Sequence, residues 1–192
     1  RKDANLKVPT QPGFNVGYLS FNHNKEPWKT NVKLRKAIAH AINRKAIVDN
    51  LYQGMGEVAK NPVPPTIWCY DKSIPGYDYN PELAKKLLAE AGFPEGKGLA
   101  EVNLWCMSAA RPYNPDGMKV GEAMQGDLAK IGIKAKLVTY DWGTYLKRQR
   151  EQPDDMDLFQ LGWTGDNGDP DNFLAVLFDG IASPAIRTQW HN

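Results

Sequence analysis

Three observations predict an α/β (mixed α+β) chain organised as a single unit. Residues 101–140 read as strand, helix and strand; residues 31–52 and 80–92 carry apolar side chains at helical spacing; and no repeat or low-complexity stretch divides the 192 residues. A hydrophobic content of 42% with 24% charged residues is ordinary for a globular protein and excludes disordered and fibrous classes.

The elements follow in order. Residues 15–22 (Asn-Val-Gly-Tyr-Leu-Ser-Phe-Asn) are rich in β-branched and aromatic residues and follow Pro12-Gly13, which predicts a strand. Leu34, Ile38 and Ile42, then Ile47 and Leu51, repeat at helical spacing but break register at Asn43. Two successive helices are expected, with Asn43 capping the second and Gly54 closing it. Residues 57–79, with Asn61-Pro-Val-Pro-Pro65, form a long extended connection.

Asn80-Pro81-Glu82 is a helix start, with Leu83, Leu87 and Ala91 expected on the inner face and Gly92 and Pro94 ending the helix. Residues 101–107 read as a strand, 116–131 as a helix with Val120, Met124, Leu128 and Ile131 inward, and 133–140 as a second strand. Such a crossover places its two strands parallel. A short helix over 141–150, a turn at Pro153-Asp-Asp155 and a strand over 157–163 come next. A helix then starts near Pro170, with Asp169 as its cap and Asp171 in the first turn, where carboxylates meet free amides and the helix dipole.

Twenty-four basic against 22 acidic residues leave a net charge of +2, too balanced for a nucleic-acid partner. No apolar run reaches the roughly 20 residues that span a bilayer, and residues 1–7 lack a signal peptide's apolar core. A chain opening on Arg1 and closing on Asn192 reads as a mature protein or an excised piece. Cys69 and Cys106, each after a tryptophan, are either two inert thiols or a disulfide in an exported protein.

Catalytic patterns fail one by one. There is no Gly-x-Ser-x-Gly elbow and no His-Glu-x-x-His; the histidines are His23, His40 and His191, with His40 inside an amphipathic helix. Residues 92–98 (Gly-Phe-Pro-Glu-Gly-Lys-Gly) are one residue short of a phosphate loop and lack the Ser or Thr after lysine. Counted from Asp166, Gly168, Pro170 and Leu177 stand where a calcium-binding EF-hand needs oxygen ligands. No cofactor or metal is expected, and a metal-dependent hydrolase is the weaker alternative from another class.

Two charged residues stand apart. Arg111, in Ala-Ala-Arg-Pro-Tyr-Asn-Pro, follows one predicted strand, and Asp166, in Gly-Trp-Thr-Gly-Asp-Asn-Gly, follows another. Ligands of open parallel sheets collect beyond the carboxyl ends of strands, so the two can face one crevice and take the carboxylate and ammonium of a zwitterion. The competing readings are an Arg111–Asp166 ion pair, or a turn-forming Asp166 bonded to its own backbone. Tyr113, Trp142 and Trp163 lie at strand ends, either as walls of a pocket or as core.

Beyond these local readings, residues 31–47, 59–68, 79–92, 111–115 and 162–173 together resemble extracellular solute-binding proteins of peptide ABC transporters (family 5), and within them the dipeptide-binding subgroup with its haem- and glutathione-binding relatives. The resemblance implies one lobe of a type II periplasmic-binding-protein fold, with a central mixed sheet flanked by helices. It implies a non-enzymatic receptor that closes two lobes on a dipeptide or short peptide, with haem, glutathione or antimicrobial peptides as alternative ligands. Asp166 would take the peptide ammonium and Arg111 the carboxylate, with Tyr113, Trp142 and Trp163 lining the cleft. Residues 1–192 would form the second lobe, incomplete at its C-terminus, and 1–17 its hinge-side segment. Permease subunits of the transporter, a periplasmic or lipid-anchored location peripheral to the membrane, and a monomeric state are the implied context.

Overall fold

Capping side chains decide where the helices begin. In the computed structural model, which describes residues 9, 11–151 and 153–178, helix α1 spans Val32–Ala41, α2 Arg44–Leu51, α3 Pro81–Glu90 and α4 Gly117–Ala129. Asn31 accepts from the Leu34 amide at 3.0 Å, Asn43 from Ala46 at 3.0 Å, Asn80 from Leu83 at 2.9 Å and Asp116 from Lys119 at 3.1 Å. Each bond satisfies an N-terminal amide that the helix itself leaves without a partner. The break at Asn43 is therefore real, and the chain leaves α2 through Gln53 and Gly54, both at positive φ. Residues 57–79 form no helix or strand.

The inner face of α3 differs from expectation by one residue. Ala84 and Leu88 are fully buried, whereas Leu83 and Leu87 are only partly covered. A small residue points at α1 because the two helices are also pinned at their ends: Asn31 donates to the Ala91 carbonyl at 2.9 Å and the Asn80 amide to the His40 carbonyl at 2.9 Å. His40 itself rests Nδ1 on the Asp78 carbonyl at 2.8 Å and its ring edge against Tyr77.

The strands are β1 Asn15–Phe21, β2 Val102–Trp105, β3 Ala135–Val138 and β4 Leu158–Thr164, with α5 over Trp142–Glu151 and α6 over Asp171–Phe178. Among the described residues they form one sheet in the order β1-β4-β2-β3. β2 runs parallel to β3 and β4, as the crossover predicts, while β1 is antiparallel to β4. The sheet is mixed and flanked by helices, as expected.

Alternation along the strands splits the core. Leu104, Cys106 and Leu158 face one layer with Leu34, Ile38, Leu88 and Leu128 of α1, α3 and α4; Trp105, Met107, Phe159 and Leu161 face the other with Tyr145 of α5. A third cluster joins Val16 to Val63, Ile67, Phe173 and Leu177, so α6 and the long connection cover β1. Both faces are thus buried, each fully covered aliphatic side chain contributing about 1.5–3 kcal/mol. Gly121 lets α4 approach β2 closely, since a Cβ there would run into the Cys106 sulfur.

Asp157 fastens the amino ends of β2 and β4 to the turn after β1. Its carboxylate, 6% exposed, accepts from the Trp28 indole at 2.9 Å, the Asn103 amide at 2.8 Å and the Lys25 ammonium at 2.7 Å. A buried carboxylate so fully partnered repays its desolvation. Cys69 and Cys106 are free thiols rather than a disulfide. Cys106 is sealed between β2 and α4, whereas Cys69 packs at the edge of the third cluster.

Candidate functional site

The chain leaves β2 for α4 on one face of the sheet and leaves β4 for α6 on the other. Because β2 and β4 are adjacent and parallel, their following loops diverge from neighbouring strand ends and open a crevice between them. Register places Trp105 opposite Phe159, so β4 continues to Thr164 beyond the end of β2. The loop after β2 folds back over this overhang.

A two-way bridge forms that fold: the Arg111 amide donates to the Asn114 carbonyl at 2.9 Å and the Asn114 amide to the Arg111 carbonyl at 3.0 Å. Tyr113, at the tip, lies over the cross-strand pair Gly17–Gly162. A Cβ on Gly17 would meet the Tyr113 carbonyl at 2.5 Å, and one on Gly162 would overlap the Tyr113 ring. The paired glycines are therefore what admits the loop, and Tyr52 fixes it by donating its hydroxyl to the Tyr113 carbonyl at 2.9 Å.

The result is a hollow of about 250 Å³ walled by Arg111, Tyr113, Trp142, Leu146 and Trp163 over Gly162. Of the residues singled out from sequence, Arg111, Tyr113, Trp142 and Trp163 meet here. Asp166 does not line it; it stands two residues past Thr164, the last lining residue, on the exposed loop at the rim. A larger cavity of about 1720 Å³ runs between β1, α2 and the connection at 53–66, shares Pro112, Tyr113 and Leu161 with the hollow, and is lined by neither Arg111 nor Asp166.

Arg111 and Asp166 do not pair with each other: among the described residues neither the guanidinium nor the carboxylate has an ion-pair partner. Arg111 instead lies over the Trp142 ring, 4.6 Å from its centre, a geometry that holds a cation without neutralising it. Trp142 stacks on Tyr145 at 5.6 Å, and Tyr145 donates its hydroxyl proton to the Gln160 carbonyl at 2.6 Å, with the Trp105 carbonyl sharing it at 3.2 Å. Burial pushes the Tyr145 hydroxyl well above its ordinary pKa, so it stays a donor and the stack has a fixed floor.

On the other side, α6 begins at Asp171, one residue later than a cap at Asp169 requires, and Asp169 instead closes a turn just before the helix by accepting from the Asp171 amide at 2.9 Å. Asn172 was not foreseen. Its Oδ1 accepts from the Trp163 indole at 3.0 Å and from the Asp166 amide at 3.1 Å. An asparagine in a helix's first turn carries no sequence signal for a bond nine residues back. Among the described residues no group of three or more His, Cys, Asp or Glu side chains is arranged to hold a metal, and no helix is long and apolar enough to cross a membrane.

The hollow thus has a guanidinium stacked on an indole and aromatic walls, with the Asp166 carboxylate on the exposed loop that follows its last lining residue. The model of "Bacterial extracellular solute-binding proteins, family 5 Middle" matches residues 1–183. The chain is 47% identical over 183 residues to the dipeptide-binding protein of Escherichia coli (strain K12), covering 95% of this chain and 33% of that one. It is 46% identical over 177 residues to heme-binding protein A of Haemophilus influenzae, covering 92% and 31%. Its fold superposes on the crystal structure of a dipeptide-binding protein from Pseudoalteromonas sp. SM9913 in complex with Met-Leu with a TM-score of 0.86 at 36% identity, covering all of this chain and 37% of the other. The chain spans about a third of the length of the curated relatives it matches.

Proposed function

The chain belongs to the bacterial extracellular solute-binding proteins of family 5, and from that premise we propose that it is one ligand-binding lobe of a receptor that captures dipeptides or short peptides for an ABC transporter. The observation that carries this reading is the pair of unneutralised opposite charges, Arg111 and Asp166, on loops leaving adjacent parallel strands. A peptide zwitterion offers a carboxylate to the first and an ammonium to the second, while Tyr113, Trp142 and Trp163 cover its apolar parts.

Capture requires no bond to be made or broken. The relatives named above are binding proteins rather than enzymes, and the site has the same character: donors, an acceptor and aromatic walls without a nucleophile beside a base. Residues 1–192 form the second lobe of a two-lobed protein, with residues 1–17 on the hinge side, although residues 1–8 and 10 lie outside the described residues. The receptor works in the periplasm or lipid-anchored at the membrane, as a monomer that passes its ligand to permease subunits.

Haem is the second reading, favoured by the identity to heme-binding protein A. It brings carboxylates to Arg111 but no ammonium to Asp166. The test is binding by the complete two-lobed protein. Asp166→Asn removes a charge-assisted contact of about 1.5–3 kcal/mol, or roughly ten- to a hundredfold in Kd, for dipeptides with a free amine. N-acetylated dipeptides should be unaffected, and equal loss for both sinks the role of Asp166. Thermal shift with dipeptides, tripeptides, glutathione and haem separates the ligand classes, since a ligand specific for the folded state raises Tm.

A further inference from the structure

We propose that Asn172 is a positioning residue of the site, whose single side-chain oxygen fixes the carboxylate-bearing loop and the aromatic wall relative to each other. The proposal rests on the reading of Asp166 as the acceptor of a ligand ammonium, and it extends to a residue that touches no ligand.

The geometry is specific. Oδ1 of Asn172 accepts two hydrogen bonds, from the Trp163 indole Nε1 at 3.0 Å and from the Asp166 backbone amide at 3.1 Å. A carbonyl-type oxygen has two lone pairs, and these two donors occupy both. One donor belongs to a wall of the hollow and the other to the residue carrying the rim charge. The separation between aromatic surface and carboxylate is therefore set through one atom.

That atom sits on a firm base. Asn172 lies in the first turn of α6, its amide on the Asp169 carbonyl at 3.2 Å, and its neighbour Phe173 is fully buried. The Phe173 ring occupies the space a side chain at Gly165 would need. The Gly165 amide is bonded in turn to the Phe14 carbonyl at 2.7 Å, which anchors the loop's first residue to the segment before β1. Beyond Gly165 the loop is exposed and glycine-bounded, with Gly168 at φ +72°. Its remaining side-chain bonds, Asn167 to the Asp169 amide and Asp169 to the Asp171 amide, are local to its far end. The bond from Asn172 is what reaches Asp166, and a carboxylate on a freely rotating glycine-flanked segment would lose entropy on binding that a held one does not.

The experiment is a double-mutant cycle on the complete two-lobed protein, read by calorimetry with a free-amine dipeptide and with its N-acetylated form. Asn172→Ala is expected to weaken the free-amine dipeptide about tenfold, equivalent to about 1.4 kcal/mol. In an Asp166→Asn background the same change should cost no more than about threefold, because the charge it positions is gone. Asn172→Asp, which keeps an oxygen for both donors, should retain affinity within about threefold of the parent. Additive losses in the cycle, or an Asn172→Asp variant as weak as Asn172→Ala, overturn the proposal. Asn172→Ser, too short to reach both donors, replaces the alanine variant if that one fails to fold. The Asp166→Asn single variant reports separately on the underlying reading: if it binds free-amine dipeptide normally, Asp166 is not the ammonium acceptor and the proposal falls with it. If it weakens while the cycle is additive, only the role of Asn172 falls.

Discussion

Side chains whose neighbours in sequence already announce their surroundings were the legible ones. Arg111 and Asp166 stand beside Pro112 and Gly165, just past apolar strand segments, so a place on a strand-end loop followed from their position, and among the described residues neither has an ion pair. Asn172, and the Gly17–Gly162 pair under Tyr113, were not legible, because their meaning lies in partners brought up by folding. The two cysteines show the same divide: spacing left thiols or disulfide open, and burial separates the two thiols. Cys106 lies under α4 beside Gly121, and desolvation, with a smaller effect of Glu122, pushes its thiol pKa up to about 12. At pH 8 that leaves on the order of one thiolate in 10⁴, and thiolate is the reactive form. A thiol reagent should therefore modify Cys69, which is half-buried, and reach Cys106 only after denaturation. Mass spectrometry of the labelled native protein checks this, and stoichiometric native labelling at Cys106 would contradict the sealed packing.

At the scale of elements, helix starts were read more accurately than helix faces or strand lengths. Asn31, Asn43, Asn80 and Asp116 cap through a bond three residues ahead, a local geometry that sequence encodes directly. The inner face of α3 depends on how closely α1 approaches, and there Ala84 and Leu88 displaced Leu83 and Leu87. Strands predicted over 101–107 and 133–140 shortened to four residues each, since pairing stops where the partner strand turns away. The glycine pair of β1 and β4 is an element-scale device with a measurable sign. Glycine within a strand ordinarily costs about 0.5–1 kcal/mol relative to alanine, so Gly162→Ala should stabilise if nothing else intervened. Here the added methyl would overlap the Tyr113 ring, an overpacking cost of about 1–3 kcal/mol. The expected net result is lower stability in urea unfolding, by about 0.5–2 kcal/mol, together with weaker ligand binding as Tyr113 shifts in the hollow. An alanine variant more stable than the parent would remove the close approach from the account.

For the molecule as a whole, the strand-helix-strand crossover was visible in sequence because it is contiguous, whereas the antiparallel addition of β1, paired with a strand some 140 residues later, was not. That addition completes the platform on which Tyr113 and Phe14 hold the two site loops. The platform carries the loops of Arg111 and Asp166 at one end of the sheet, and the hollow of about 250 Å³ is open to solvent. A peptide bound as proposed would meet Arg111 and Asp166 from one side only, with water on the other. Surface ion pairs of this kind contribute about 0–1 kcal/mol each, far below the same contacts in a closed, desolvated cleft. Two such contacts and partial aromatic cover do not offset the translational and rotational freedom a ligand loses, about 4 kcal/mol or more. The isolated chain should accordingly bind dipeptides with a Kd of about 1 mM or weaker, and a second lobe that closes over the site should tighten this by orders of magnitude. Calorimetric titration of the 192-residue chain with a free-amine dipeptide makes the measurement. Micromolar affinity for the isolated chain would mean that this lobe alone excludes water from the charge pair, which its open geometry does not provide.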